Sequence, residues 1–258
     1  MINFVYFFIF ILGTAVGSFL NVLIDRLPQE KSIGGRSVCD YCQQQLKWHD
    51  LIPIVSFFLL KGRCRYCRKK ISLQYTFVEF LTGVSFLLVY FYFGPLLTDE
   101  FLLIENFHLK IWEIVGYWII FASLIVIFFS DVKYHLIPDS IQISFFVGAL
   151  VVLPFLASEN LSQFLIKRII ASFIVAAPIF VLHFFSQGKA MGFGDVKLSF
   201  TIGFLLGIKM GFWALYIAFI SGGFVGLILL LTGKKKLKSK IAFGPFLVIG
   251  VIGSLFFL

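Results

Sequence analysis

The chain has 258 residues, of which 60% are hydrophobic, 19% aromatic and only 14% charged, with a mean hydropathy of +0.98. One soluble core could not hide that much apolar surface, so an ordinary soluble domain is excluded and a polytopic membrane protein is expected. The formal charge of +9 gathers in a few short loops between apolar runs, a pattern that orients a chain in a bilayer and argues against nucleic acid as a partner.

The first apolar run, Phe4 to Ile24, is about long enough to cross a hydrocarbon layer of roughly 30 Å. No basic residue precedes it, so it reads as a retained first helix rather than a cleavable signal. Gly13 and Gly17 lie four apart within it, which suits close helix packing. Residues 25–75 carry ten Lys or Arg against four acids. That excess places the loop in the cytoplasm and the N-terminus outside. Residues 76–97 return the chain outward. Loop 98–113, with Asp99, Glu100, Glu105 and Glu113 against Lys110, suits the external side.

The run from Ile114 to Ser130 comes back in and ends at Asp131. A span from about Ile141 to Leu156 goes out, with Pro138 expected in the first turn of its helix, where a missing N–H costs nothing. The span from about Leu165 to Phe185 returns, although Lys167 and Arg168 near its outer end break the charge rule. From Leu198 to Leu231 the apolar run is interrupted only by Lys209. Parity decides its path. Asp195 and the lysine tail, Lys234 to Lys240, belong inside, so this run crosses twice with a turn near Lys209, where Gly203, Gly207 and Gly211 allow tight packing. A last helix, about Ala242 to Leu258, completes an all-α bundle of about eight transmembrane helices. Three regions are expected: a first helix over 1–24, a cysteine loop over 25–75 and a helical core over 76–258.

Two aspartates stand out because an acid at the edge of an apolar run is costly unless it has a role. Asp195 follows Gly192-Phe193-Gly194, and both Asp131 and Asp195 are followed by Val-Lys. Both fall at cytoplasmic helix ends. Two carboxylates about 3 Å apart share one proton, so that one activates water and the other protonates the departing amine. That is aspartyl-protease chemistry. The plainer reading, two interfacial helix-end acids, is outweighed by the Gly-x-Gly spacer, which lets a peptide approach the backbone. Lys133 and Lys197 lie two positions beyond each aspartate, nearly on the opposite helix face, and are expected to snorkel to headgroups. Asp139 is a third catalytic candidate, but next to Pro138 it is expected instead to be a helix-start acid favoured by the macrodipole.

Cys39-x-x-Cys42 and Cys64-x-x-Cys67 enclose 21 residues. In a reducing cytoplasmic loop this pairing predicts a structural zinc ion held by four thiolates in a ribbon-like fold. His49, between the pairs, is expected at the surface.

Taken together these residues resemble the bacterial type IV prepilin peptidase family, membrane aspartyl peptidases with a Gly-x-Gly-Asp motif. The resemblance runs through Gly17 to Val22 with Arg26-Leu27-Pro28, the cysteine loop with Asp50 to Pro53, Ile71-Ser72 with Tyr75 and Glu79, Asp131 with Ile137-Pro138-Asp139, Gly192 to Leu198, and Phe243 to Leu247. It departs at Gln74 and Thr76, where the family usually has Arg and Pro. The resemblance implies that Asp131 and Asp195 are catalytic and that the active site lies at the cytoplasmic face of the bacterial plasma membrane. It further implies cleavage after Gly of the basic leaders of pilin-like precursors, and methylation of the new N-terminus from S-adenosylmethionine. Glu79 would then be an anionic contact for a basic leader, or simply a partner of Arg26. A competing class, an ion-coupled transporter with the aspartates as proton relay, expects charges near the midplane and not at one face.

Overall fold

The computed structural model describes residues 2–94, 107–157, 160–189, 191–233 and 241–255. Every extended element in it is helical. In chain order these are α1 (Ile2–Arg26), α2 (Val55–Leu59), α3 (Leu73–Phe93), α4 (Phe107–Tyr134), α5 (Asp139–Leu156), α6 (Leu161–Phe185), α7 (Phe193–Leu231) and α8 (Gly244–Leu255). Six of them, α1 and α3 to α7, are long and apolar enough to cross a membrane, and α8 is a shorter apolar helix. Asp99, Glu100, Glu105, the lysine tail from Lys234 to Lys240 and the last residues of the expected final helix lie outside the described residues.

The chain divides into two compact units, 1–126 and 127–258, with the division inside α4. In the first unit α1 and α3 pack antiparallel, and the expected glycines make the contact. A β-carbon on Gly13 would stand 2.8 Å from the α-carbon of Gly83, and one on Gly17 would stand 2.7 Å from that of Glu79. Ser72 caps α3 by accepting the Gln74 amide at 3.2 Å. Asn21 on α1 donates to the Tyr75 carbonyl at 3.0 Å. Trp118 of α4 stacks on Phe86 of α3 with ring centroids 4.8 Å apart.

In the second unit α7 is the organising element. Its Gly207 has φ 77° and ψ −174°, far from helical. A β-carbon on Gly211 would lie 3.6 Å from the α-carbon of Gly203, whereas eight residues of straight helix span about 12 Å. The helix therefore doubles back at Gly207, two residues before Lys209, as parity requires. Counting each arm of α7 once, and α8, the described residues hold eight apolar helical segments. The turn also explains the misplaced Arg168. Its Nη1 donates to the Leu205 carbonyl at 3.0 Å, so it caps the carbonyl end of the first arm. Its guanidinium lies over the Phe164 ring, 4.6 Å from the centroid. The second arm runs antiparallel to α8, with Gly222 against the Phe246 ring.

Three local expectations change. Pro138 is not inside α5 but caps it at φ −64° and ψ 132°, with the helix starting at Asp139. Lys197 does not reach for headgroups alone, because its ammonium bonds Asp139 at 2.7 Å. Helix α4 starts seven residues before Ile114. The acid expected there as loop, Glu113, is helical and paired with Lys110 at 2.7 Å, an i,i+3 pair that carries the helix through the polar stretch.

Candidate active site

Asp131 and Asp195 both belong to the second unit, and each is more than nine-tenths buried. They lie within electrostatic range of one another. The two are held differently. Asp195 is the third residue of α7, and its Oδ2 accepts the Gly192 amide at 3.1 Å, one half of a capping box. Such an acid complements the positive end of a helix dipole.

Asp131 has no such reason to be where it is. It sits in the last turn of α4, the negative end, where an anion is disfavoured. Its compensation comes from α8, whose first residue, Gly244, donates its backbone N–H to Asp131 Oδ2 at 2.7 Å. Gly244 is thus one of the unpaired amides at a helix start, aimed at a buried carboxylate. A β-carbon on Gly244 would fall 2.7 Å from the same oxygen.

Sequence reasoning does not single out the other neighbours. His135 lies in electrostatic range of Asp131, and His183 in range of Asp195. The His183 Nδ1 meets the Met191 carbonyl at 2.8 Å, and its ring lies against Phe193, 5.6 Å between centroids. Gln142 of α5 reaches the glycine turn, its Nε2 3.7 Å from where a β-carbon on Gly194 would be.

The four cysteines meet in the first unit, with all four Sγ atoms within 4.8 Å of one another. Two matching turns bring them there. In the first, Cys39 donates to the Gln44 carbonyl at 3.0 Å and Gln43 to that of Cys39 at 2.9 Å. In the second, Cys64 donates to Lys69 at 2.9 Å and Arg68 to Cys64 at 3.0 Å. Gln43 and Arg68, each directly after a second cysteine, take φ 56° and 60°. Burial pushes the Cys39 thiol up, but the Cys42 and Tyr41 amides outweigh it and bring it down to about 7. The cluster can hold a metal ion. Outside it, Asp50 is clamped by Arg65 at 2.6 Å, and His49 is surface-placed beside Asp50 at 3.7 Å.

Arg26 does not pair with Glu79. Its guanidinium gathers the carbonyls of Ser32, Ile33 and Gly34 at 2.7 to 3.2 Å. Glu79 instead accepts the Ile54 amide at 2.8 Å and a hydrogen bond from Ser18, tying the cysteine loop to α3 and α1.

Comparison with known proteins adds the following. Residues 11–93 match the bacterial peptidase A24 N-terminal domain, and residues 118–229 match the type IV leader peptidase family. A prepilin leader peptidase/N-methyltransferase of Bacillus subtilis is 31% identical over 95% of this chain and 91% of its own length. Its Vibrio cholerae counterpart is 31% identical over 80% of each. The protein of the same name from Legionella pneumophila is 30% identical over 99% of this chain and 93% of its own. No solved structure matches.

Proposed function

The chain belongs to the type IV leader peptidase family, and we propose that its activity, that of a prepilin leader peptidase and N-methyltransferase, is carried in its hydrolytic half by Asp131 and Asp195. The observation that supports this is the burial of two mutually interacting carboxylates behind a Gly-x-Gly turn, one of them at the unfavourable end of a helix. With one proton between them, the ionised member takes a proton from water, whose oxygen adds to the scissile carbonyl carbon. The protonated member then gives its proton to the amine nitrogen as the C–N bond breaks.

The substrates are pilin-like precursors with basic leaders, cut after Gly. The basic loop 25–75 and the doubled path of α7 support a pair that opens to the cytoplasmic side of the plasma membrane, among lipids. The same region, 25–75, is read as a loop inserted between the first helix and a peptidase core over 76–258. Methylation uses S-adenosylmethionine as co-substrate.

The cysteines fit zinc. A tetrahedron with bonds of about 2.3 Å has edges of about 3.8 Å, and Cys39 and Cys67 are 3.8 Å apart at sulfur. Cys39, Cys42, Cys64 and Cys67 would hold the ion, which closes the shell and leaves no position for catalysis, so its contribution is to the fold of the loop.

Asp131→Asn and Asp195→Asn each keep shape and remove the shared proton. Both are expected to insert normally and to lose leader cleavage in a co-expression assay with a precursor. Processing above roughly a few per cent of wild type in either variant would overturn the assignment.

A further inference from the structure

We propose that Gln142 is a binding residue for the main chain of the substrate, holding it extended against the Gly192–Asp195 turn; this rests on the assignment of Asp131 and Asp195 given above. Gln142 lies in the first turns of α5 and is 5% exposed. Its Nε2 and its Oε1 are both buried with no hydrogen-bond partner among the described residues. A buried carboxamide with both ends unpaired destabilises a fold, and an apolar side chain of the same size would serve packing better. Packing therefore does not account for it.

Its position does. The amide nitrogen lies 3.7 Å from where a β-carbon on Gly194, the residue before Asp195, would stand, and Ile137 packs on the same spot at 3.4 Å. Gly192 has no β-carbon, and apart from its chain neighbours only Asp195 Oδ2 and the Gly194 nitrogen stand within 4 Å of where one would be, so a second backbone can come close there. In an extended chain the N–H and the C=O of one residue point to the same side. A carboxamide offers the complementary acceptor and donor from one end, so a single residue of the substrate satisfies both of its unpaired atoms. The chemistry of the cleavage needs that geometry. A substrate segment in a helix has its peptide groups paired internally, and unwinding it among apolar helices leaves them without partners unless the enzyme supplies them. A metal ion is a poor alternative occupant, since Nε2 is a donor only.

The experiment uses the full-length protein in a bilayer disc and synthetic precursor peptides spanning the cleavage site. Peptide affinity is measured in the cleavage-dead Asp195→Asn background, and kcat and KM in the active enzyme. Gln142→Met and Gln142→Leu are expected to melt no lower than the parent. They should weaken peptide binding by about tenfold, appearing in KM more than in kcat. In a second arm, each peptide bond near the scissile one is replaced in turn by an ester, which deletes one N–H. Wild type should lose about tenfold at one position, and the Gln142→Met enzyme nothing further there.

Binding within twofold of the parent, or ester losses equal in both enzymes, would overturn the proposal. So would failure of both variants to fold, because an unpartnered amide cannot be what holds the structure. An Asp195→Asn enzyme that still cleaves would instead sink the peptidase assignment and leave the affinity measurements standing.

Discussion

Replacing Gly244 with alanine tests whether the start of α8 sets the position of Asp131. The Gly244 amide donates to Oδ2 at 2.7 Å, and the added methyl would stand 3.2 Å from Cγ and 2.7 Å from that oxygen, the latter closer than real β-carbons come. Either the carboxylate rotates away or α8 withdraws, and both break the hydrogen bond. A bond to a charged group is worth about 1.5 to 3 kcal/mol, which at 1.36 kcal/mol per decade is a loss of about 10- to 150-fold in kcat. If Asp131 reacts as proposed, its misorientation acts in the same direction. Gly223→Ala is the control. Nothing lies within 4 Å of its β-carbon position, so full activity is expected, with a small gain in thermal stability from alanine's better helix propensity. Steady-state cleavage of one purified precursor gives kcat and KM for both. A Gly244→Ala enzyme within threefold of wild type in kcat would refute the role given to α8.

Three further outcomes follow from the structure. Cys39→Ser with Cys42→Ser should release the metal and lower methyl incorporation more than leader cleavage, since the aspartates stand on their own helices; both are read in parallel on one precursor, and equal losses would mean the loop supports the whole fold. Gly207→Ala should destabilise by more than about 1 to 2 kcal/mol, because φ 77° is strained for alanine and the methyl would meet Arg168 Nη1 at 2.7 Å; an unchanged melting temperature would contradict the turn. If the four cysteines hold zinc as proposed, a chelator should unfold the loop 25–75, seen as new protease cuts there, while the helices keep their circular dichroism signal.

Much of this architecture is legible because it is local. A span is written in twenty consecutive apolar residues, a cysteine knuckle in four, and the turn at Gly207 in three glycines plus the parity of charged ends. Helix starts are less so: α4 extends past its apolar limit on a Lys110–Glu113 pair that averaged hydropathy ignores. The aspartates are visible from their flanks, but their supports are not. Gly244 lies 113 residues from Asp131, and nothing in Phe243-Gly244-Pro245 says which carboxylate its amide will meet. Lys197 finds Asp139 across 58 residues in the same way. Gln142 reads as one polar residue in an apolar helix until its two unpaired atoms are seen beside Gly194.

The first arm of α7, from Phe193 to the break at Gly207, has 14 helical residues and a length of about 21 Å, against a hydrocarbon layer of about 30 Å. Arg168 bonds the end of this arm and Lys209 is exposed beside it, two cations that would suit a headgroup layer at the turn. With the turn at one headgroup layer and the arm upright, the opposite end, with its glycine turn and Asp195, would stop about 9 Å short of the other. Lipid beside it must thin or tilt to meet it. Such a mismatch would draw headgroups and water down to the carboxylate, and would make the bilayer's thickness a variable of the enzyme. Cleavage in discs of short-chain lipid should outpace cleavage in discs of long-chain lipid, with a protein of unchanged sequence.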